Sequence, residues 1–436
     1  MPQRILILFT LVMSVANTAC VKELDLEPTH TTPREPFVQV EGDETITYHA
    51  HIKPLMSQYC VSCHQPGGIG PFTLTSFEDA STWGRPSAIA VRGRTMPPFL
   101  ANDSGDCNRF RESSWLTEAD IEVFEAWVEQ GMQEGDASLP DPAPRSLPEL
   151  TGALESVDTG HDYTPDQTRT DDYRCFVIDS PGRFAATGFD VIPSNPRIAH
   201  HLIAYQVQNE RQAEKARELD AEAPGPGYPC FGTGPQVDAF TVASWAPGAG
   251  ATIFPEGTGM EIDGELPLIL EMHYNIAGGP GESDRTTLAF QTAPAGSVNQ
   301  LYELWALDYD FEGPPGLESF TTTERTPIKW PLADFDQRWY RGKIKVYGAN
   351  AHMHELGKSM MIAVDSEVDR CLLDIPRWDF NWQLTYWYEE PIEISARDDF
   401  YVTCEWTTRG RDEPLVWGDG TGDEMCLGGI YVTLDD

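Results

Sequence analysis

The chain has 436 residues, with 30 Lys and Arg against 69 Asp and Glu, a formal net charge of −39 at pH 7. That surplus of carboxylates repels nucleic acid and anionic membrane surfaces, so neither is expected as a partner. The length allows several buried cores, and two or three domains are expected.

At the N-terminus, Arg4 precedes an apolar run from Ile5 to Ala16, followed by the small residues Thr18 and Ala19. This layout predicts a signal peptide over residues 1–19, too short to span a bilayer, and hence export. Residues 20–45, rich in Glu, Thr and Pro, are expected to form a disordered tether. Residues 46–135 are long enough for one small domain. Residues 136–160, with Pro140, Pro142, Pro144 and Pro148, read as a semi-rigid Pro-rich linker. Beyond it, short runs such as Leu268-Ile269-Leu270 and the alternating Lys343-Ile344-Lys345-Val346 are separated by Gly and Pro, a pattern that predicts antiparallel sandwiches.

Cysteine usage agrees with export. With Cys20 in the leader and Cys60 and Cys63 in a motif treated below, Cys107, Cys175, Cys230, Cys371, Cys404 and Cys426 remain. An even remainder in an oxidising compartment suggests disulfides. Cys404 and Cys426 flank a turn-rich stretch, Thr407 to Gly422, and are the expected pair; the pairing of Cys107, Cys175, Cys230 and Cys371 stays open.

In Cys60-Val61-Ser62-Cys63-His64 the two thiols can add to the haem vinyl groups while His64 meets the iron. Two Cys at this spacing also serve zinc or a redox pair, but no second pair with zinc spacing follows. The sixth iron ligand is expected to be Met96 in Thr95-Met96-Pro97-Pro98, with Met56 and Met132 as rivals. Thr117 should begin a helix with Asp120 in the capping-box position, Ile121, Phe124, Trp127 and Val128 on its buried face, and Gly131 at its end. From Ile46 to Gly135 the segment resembles a small all-α, mono-haem cytochrome c domain, which implies one covalently bound haem c. Cleavage after Ala19 would expose Cys20, which resembles a bacterial lipoprotein site with Asn17 where an apolar residue is usual. A lipid anchor at Cys20 would place the protein in the periplasm or on the cell surface. Ordinary signal-peptidase cleavage or an uncleaved anchor are the alternatives.

The remaining two thirds carry His200 with His201, His273, His352 with His354, and Met425. Imidazole suits copper in both oxidation states and a thioether favours Cu(I), so the set looks like two copper sites of unlike softness. On a strand, His352 and His354 would share one face. His200 and His201 would face opposite sides, so joint ligation requires a distorted strand end or different ring nitrogens. His30, His49, His51 and His161 belong to no motif and are expected at the surface.

The order of local stretches resembles the copper type II ascorbate-dependent monooxygenases, the family of peptidylglycine alpha-hydroxylating monooxygenase and dopamine beta-monooxygenase. The stretches are Asp172-Tyr173-Arg174-Cys175, Ala199-His200-His201-Leu202, Glu271-Met272-His273-Tyr274, His352-Met353-His354-Glu355-Leu356-Gly357-Lys358 and Asp423-Glu424-Met425-Cys426. The resemblance implies two all-β antiparallel jelly-roll sandwiches, at residues 161–297 and 298–436, facing each other across a solvent-filled cleft. It implies that His200, His201 and His273 hold an electron-transfer copper, and that His352, His354 and Met425 hold the copper where dioxygen reacts and form the catalytic set. The Cys404–Cys426 bridge also fits the family, where it would pin the Met425 strand.

The implied activity is hydroxylation of a C–H bond of a small organic substrate with O2, with two coppers and one haem c as cofactors and an external electron donor. The alternative is a non-catalytic periplasmic copper-binding or electron-transfer protein. Peptide-processing members place an Arg two residues before the first His of the His-x-His pair and a Tyr four after the Met. Here those positions are Asn350 and Gly429, so a peptide carboxylate would lose its cation and its phenol, and a neutral or apolar substrate is expected instead.

Overall fold

The computed structural model describes residues 33–435 except 43, 69, 144, 231–233, 247–249, 336, 338, 367 and 419–421, together with Leu24 and Leu26. The signal peptide, Cys20 and His30 lie outside the described residues. Among those described, no helix is long and apolar enough to cross a membrane.

The first unit is helical. A π-helical turn, Tyr48–Ile52, runs into the helix Lys53–Tyr59, and helices Phe77–Arg92 and Glu118–Glu129 follow. Thr117 caps the last of these through a complete capping box with Asp120, satisfying two of the otherwise orphaned N–H groups. Ile121, Phe124, Trp127 and Val128 are buried on one face, against Ile52, Leu55 and Met56. Gly131, at φ +85°, turns the chain out of the helix.

Two antiparallel sandwiches make up the rest. In the first, a sheet ordered Tyr228–Pro229, Asp171–Ile178, Leu268–Asn275, Ala199–Val207, Ala239–Trp245 packs on one built around Thr287–Ala293, Phe184–Ile192 and Thr258–Ile262. In the second, Tyr302–Leu307, Leu427–Asp435, Lys343–His352 and Thr385–Ser395 form one sheet and Phe320–Pro327, Asp399–Trp406, Gly357–Asp365 and Arg370–Ile375 the other. Trp387 and Tyr431 of the second sandwich belong to the apolar core of the first, so the two share packed surface.

One element departs from the all-strand expectation: a helix at Glu210–Glu222. Its sequence is dense in Glu, Ala, Arg, Gln and Leu, all strong helix formers, and Asn209 accepts the N–H of Gln212 as its cap. It buries Ala213 and Ala216 beside the Cys175–Cys230 bridge. The other bridges are Cys107–Cys371 and the expected Cys404–Cys426.

The helical unit is fastened to the second sandwich. Leu100, Ala101 and Phe110 enter that sandwich's core, Asn102 N–H donates to the Asp374 carbonyl (2.8 Å) and Arg111 N–H to the Trp387 carbonyl (2.7 Å). Arg34 is paired with buried Asp103 and with Glu389. The Pro-rich segment folds back as well, Arg145 donating to Ser114 Oγ at 2.6 Å. His51 is 4% exposed and its Nδ1 accepts the Thr47 N–H, so it is a buried helix-start residue and not the surface histidine expected; His161 is exposed.

Candidate metal centres

The strand Ala199–Val207 pairs with Leu268–Asn275 so that His201 lies opposite His273, and the register slips between Ala199 and His201. In an unbroken strand His200 and His201 would face opposite sides of the sheet. The slip re-aims one of them, as a bulge does, and the result is convergent: His201 Nδ1 lies 3.4 Å from His200 Nδ1 and 3.3 Å from His273 Nδ1. The same ring nitrogen is turned inward in all three.

A single imidazole nitrogen offers either one hydrogen or one lone pair, so His201 Nδ1 cannot satisfy both neighbours by hydrogen bonding. Three nitrogens each ~2.0–2.1 Å from one tetrahedral ion would stand about 3.3–3.4 Å apart, which is the spacing observed. The outer nitrogen of His273, Nε2, lies 2.9 Å from Asp171 Oδ1, the carboxylate-to-histidine contact that orients a metal-binding ring and raises its basicity. Asn275 Nδ2 donates to the same oxygen at 3.0 Å, and the hydrogen bond from His273 holds the Asp171 carboxyl below its usual range. Tyr173 stacks on His273 at 4.1 Å.

The second set stands where the strand Lys343–His352 ends. The rings of His352 and His354 lie 5.2 Å apart at 90°. His352 Nδ1 is 2.5 Å from Gln383 Oε1 and His354 Nδ1 is 3.1 Å from the Asp423 carbonyl, so both Nδ1–H groups are donated to neutral oxygens and each Nε2 is left for a ligand. Met425 is buried at 2% exposure. Its neighbour Glu424 accepts from the N–H groups of His354 (2.9 Å) and Leu356 (2.6 Å) and from Trp406 Nε1 (3.0 Å). Burial nonetheless pushes the Glu424 carboxyl up to about 7. These bonds, with the Cys404–Cys426 bridge one residue on, hold the methionine segment against the His354 turn.

Burial also keeps His200, His201 and His352 in the neutral form that binds metal. It drives His200 down to about 4, ahead of the influence of the His273 ring, and His352 to about 4, ahead of that of His354. His201 falls well below the usual value by burial and then by the neighbouring imidazoles, those of His352 and His354 among them. The ring of Phe380 lies 5.8 Å from that of His200 and 6.0 Å from that of His354, so it neighbours both sets.

The helical unit encloses a cavity of about 500 Å³ lined by Cys60, Cys63, His64, Met56 and Met96, a size usual for cofactor sites. His64 Nδ1 is 3.0 Å from the Phe72 carbonyl, which orients the ring. The following loop needs its glycines: a Cβ at Gly70 would lie 2.7 Å from His64 Nδ1. Cys60 and Cys63 are unpaired, and burial pushes the Cys60 thiol up to about 12. Of the three methionines considered, Met56 and Met96 line the cavity, whereas a Cβ at Gly84 would lie 2.7 Å from the sulfur of Met132, which is not among the lining residues.

Residues 335–433 match the family model described as the copper type II ascorbate-dependent monooxygenase, C-terminal domain. That segment is similar to the C-terminal domain of the copper type II ascorbate-dependent monooxygenases. Tyramine beta-hydroxylase of Caenorhabditis briggsae is 23% identical over 256 residues, 55% of this chain and 40% of that protein. Dopamine beta-hydroxylase of Canis lupus familiaris is 23% identical over 262 residues, 55% of this chain and 39% of that protein. DBH-like monooxygenase protein 2 of Mus musculus is 24% identical over 258 residues, 54% of this chain and 38% of that protein. The chain thus spans less than half the length of these curated relatives.

Asp171, Gln383, Glu424 and Phe380 were not singled out by sequence reasoning. Asp171 and Glu424 sit in or beside quoted motif stretches and so left a signal; Gln383 and Phe380, in an otherwise unmarked loop, left none. Asn350 and Gly429, by contrast, prove to be cross-strand partners. A Cβ at 429 would lie 2.0 Å from Asn350 Oδ1, and Asn350 Nδ2 donates to the buried Glu303 carboxylate at 2.8 Å. The two substitutions relative to peptide-processing members therefore fit each other.

Proposed function

We propose that the chain is an exported copper-dependent monooxygenase that hydroxylates a C–H bond of a small organic substrate, with electrons supplied through a haem c held by the helical unit. The overall balance is substrate C–H plus O2, two electrons and two protons giving C–OH and water. The observation that carries the reading is the pair of unlike donor sets: three convergent Nδ1 atoms backed by a carboxylate, and two imidazoles backed by neutral carbonyls with a buried methionine on the adjoining segment. Copper bound there supplies one-electron steps to dioxygen, and its softer site favours Cu(I).

The chain's own residues do the positioning. Asp171 orients His273; Gln383 and the Asp423 carbonyl orient His352 and His354; Glu424 and the Cys404–Cys426 bridge present Met425. Cys60 and Cys63 would hold haem by thioether bonds, and His64 and Met96 would ligate its iron. Haem with such ligands supplies a one-electron store of raised potential. With Asn350 engaged by Glu303 and no side chain at Gly429, these two positions offer a carboxylate substrate neither cation nor phenol, which supports a neutral or apolar substrate. The leader predicted from the sequence places the protein in the periplasm or, through Cys20, on an outer surface.

Elemental analysis of the copper-reconstituted protein should give two coppers per haem, and reductant-dependent oxygen uptake should appear with some member of a panel of neutral substrates. Haem without copper would remove the reading, and copper without oxygen uptake would leave a binding or relay protein.

A further inference from the structure

The loop of residues 376–384 joins the strands Arg370–Ile375 and Thr385–Ser395 in the second sandwich, yet two of its side chains, Asp379 and Trp382, line the cavity of the helical unit. Within five residues the same loop reaches both metal sets. Phe380 lies against His200 on one side and His354 on the other, and Gln383 Oε1 is 2.5 Å from His352 Nδ1. The loop is also tied on itself and at both ends. Trp382 N–H donates to the Asp379 carbonyl (3.0 Å), Gln383 Nε2 to the Phe380 carbonyl (2.9 Å), Trp378 Nε1 to the His354 carbonyl (3.0 Å), and Arg377 Nη2 across to the Arg94 carbonyl (3.1 Å).

Electron tunnelling decays steeply with distance and more steeply through solvent than through packed atoms. A loop that touches the cavity of one cofactor and neighbours the ligands of two others is a continuous material path between them. We infer that residues 378–383 are the route by which electrons leave the haem pocket for the copper pair, with Trp382 the haem-side contact and Phe380 the copper-side contact. This rests on the haem and copper reading above. In each transfer Fe(II) becomes Fe(III) as one Cu(II) becomes Cu(I), and a one-electron donor of the ascorbate class re-reduces the haem. Trp382 and Phe380 are positioning residues that bridge two centres and do not react.

The test is flash photoreduction of the haem in oxygen-free, fully oxidised holoprotein, following haem reoxidation by its absorbance and the loss of the Cu(II) resonance. In the native protein the haem should be reoxidised as Cu(II) disappears. Trp382→Leu and Phe380→Leu should slow that phase by roughly tenfold or more, at least about 1.4 kcal/mol in barrier terms, while the copper-to-haem ratio stays at two and the haem-side variant keeps the native Cu(II) spectrum. Trp382→Phe, which keeps a ring and its packing, should recover most of the rate. If native haem is not reoxidised by Cu(II), the relay itself falls. If native transfer is observed and both Leu variants match it, or Trp382→Phe is as slow as Trp382→Leu, the relay stands and the route through this loop is overturned.

Discussion

The two metal sets are built by opposite means. His200, His201 and His273 stand near the ends of two paired inner strands, where a register slip and a cross-strand partner bring three rings to one point, and their outer partner is an anion, Asp171. His352, His354 and Met425 come from a strand end and a disulfide-pinned segment, and their outer partners are neutral oxygens. A carboxylate makes an imidazole a stronger donor and favours the higher charge on a bound ion; neutral partners and a thioether do the reverse. On the reading proposed above, the asymmetry of the two ligand sets is continued by the residues behind them.

That contrast is exposed most severely at the sulfur. Met425→Ile should abolish hydroxylation while the haem spectrum and the histidine-only copper resonance persist; oxygen uptake at the native rate would mean that the methionine is not a ligand of a reacting site. Next, Asp171→Asn, which removes the anion but keeps the shape, should weaken copper at the three-histidine set by roughly 10–100-fold in a competitive chelator titration. The matching change, Gln383→Leu, should weaken the other set by about tenfold, the lower end of that range, because only a neutral partner is lost. Equal losses in the two variants would erase the proposed difference in tuning.

Opening the Cys404–Cys426 bridge by double Ser substitution should lower stability by about 2–4 kcal/mol in denaturant and loosen copper at the methionine site alone. The mildest consequence lies at Glu405, beside Cys404. Hydrogen bonds from Lys358 first, then Ser319 and Ser359, hold its carboxyl down to about 2 from a usual 4.5. Folding therefore gains from the ionised form above about pH 4.5 and loses that gain as pH falls toward 2. Glu405→Gln should lower the melting temperature modestly near neutrality and flatten its fall over that interval, so that variant and native converge as pH approaches 2.

What was legible in the sequence was what local pattern carries. The Thr117 cap with its apolar stripe, the alternation in Lys343–Val346 and the spacing of the paired histidines each express a period of one element. The helix at Glu210–Glu222 is equally local, with its Asn209 cap and helix-forming composition, and was overlooked because its surroundings alternate like strands. The slip at His200 was foreseen only as a requirement, since a bulge is decided by how two distant strands register. Least legible was the loop 376–384: Phe380 and Gln383 gain their meaning from strands that arrive from elsewhere in the chain, and the Cys107–Cys371 bridge joins residues 264 apart.

That bridge sets an order on the making of the molecule. During synthesis Cys60, Cys63 and Cys107 emerge long before Cys371 exists, so in the exported location proposed above three thiols would meet oxidising conditions with the proper partner of one of them still missing. A premature Cys60 or Cys63 bond to Cys107 would block both the motif and the later clasp, and undoing it requires thiolate attack on a disulfide. On the haem reading proposed above, capping Cys60 and Cys63 early as thioethers would take two competitors away irreversibly. Maturation of the helical unit would then serve as proofreading for the clasp that closes it onto the second sandwich.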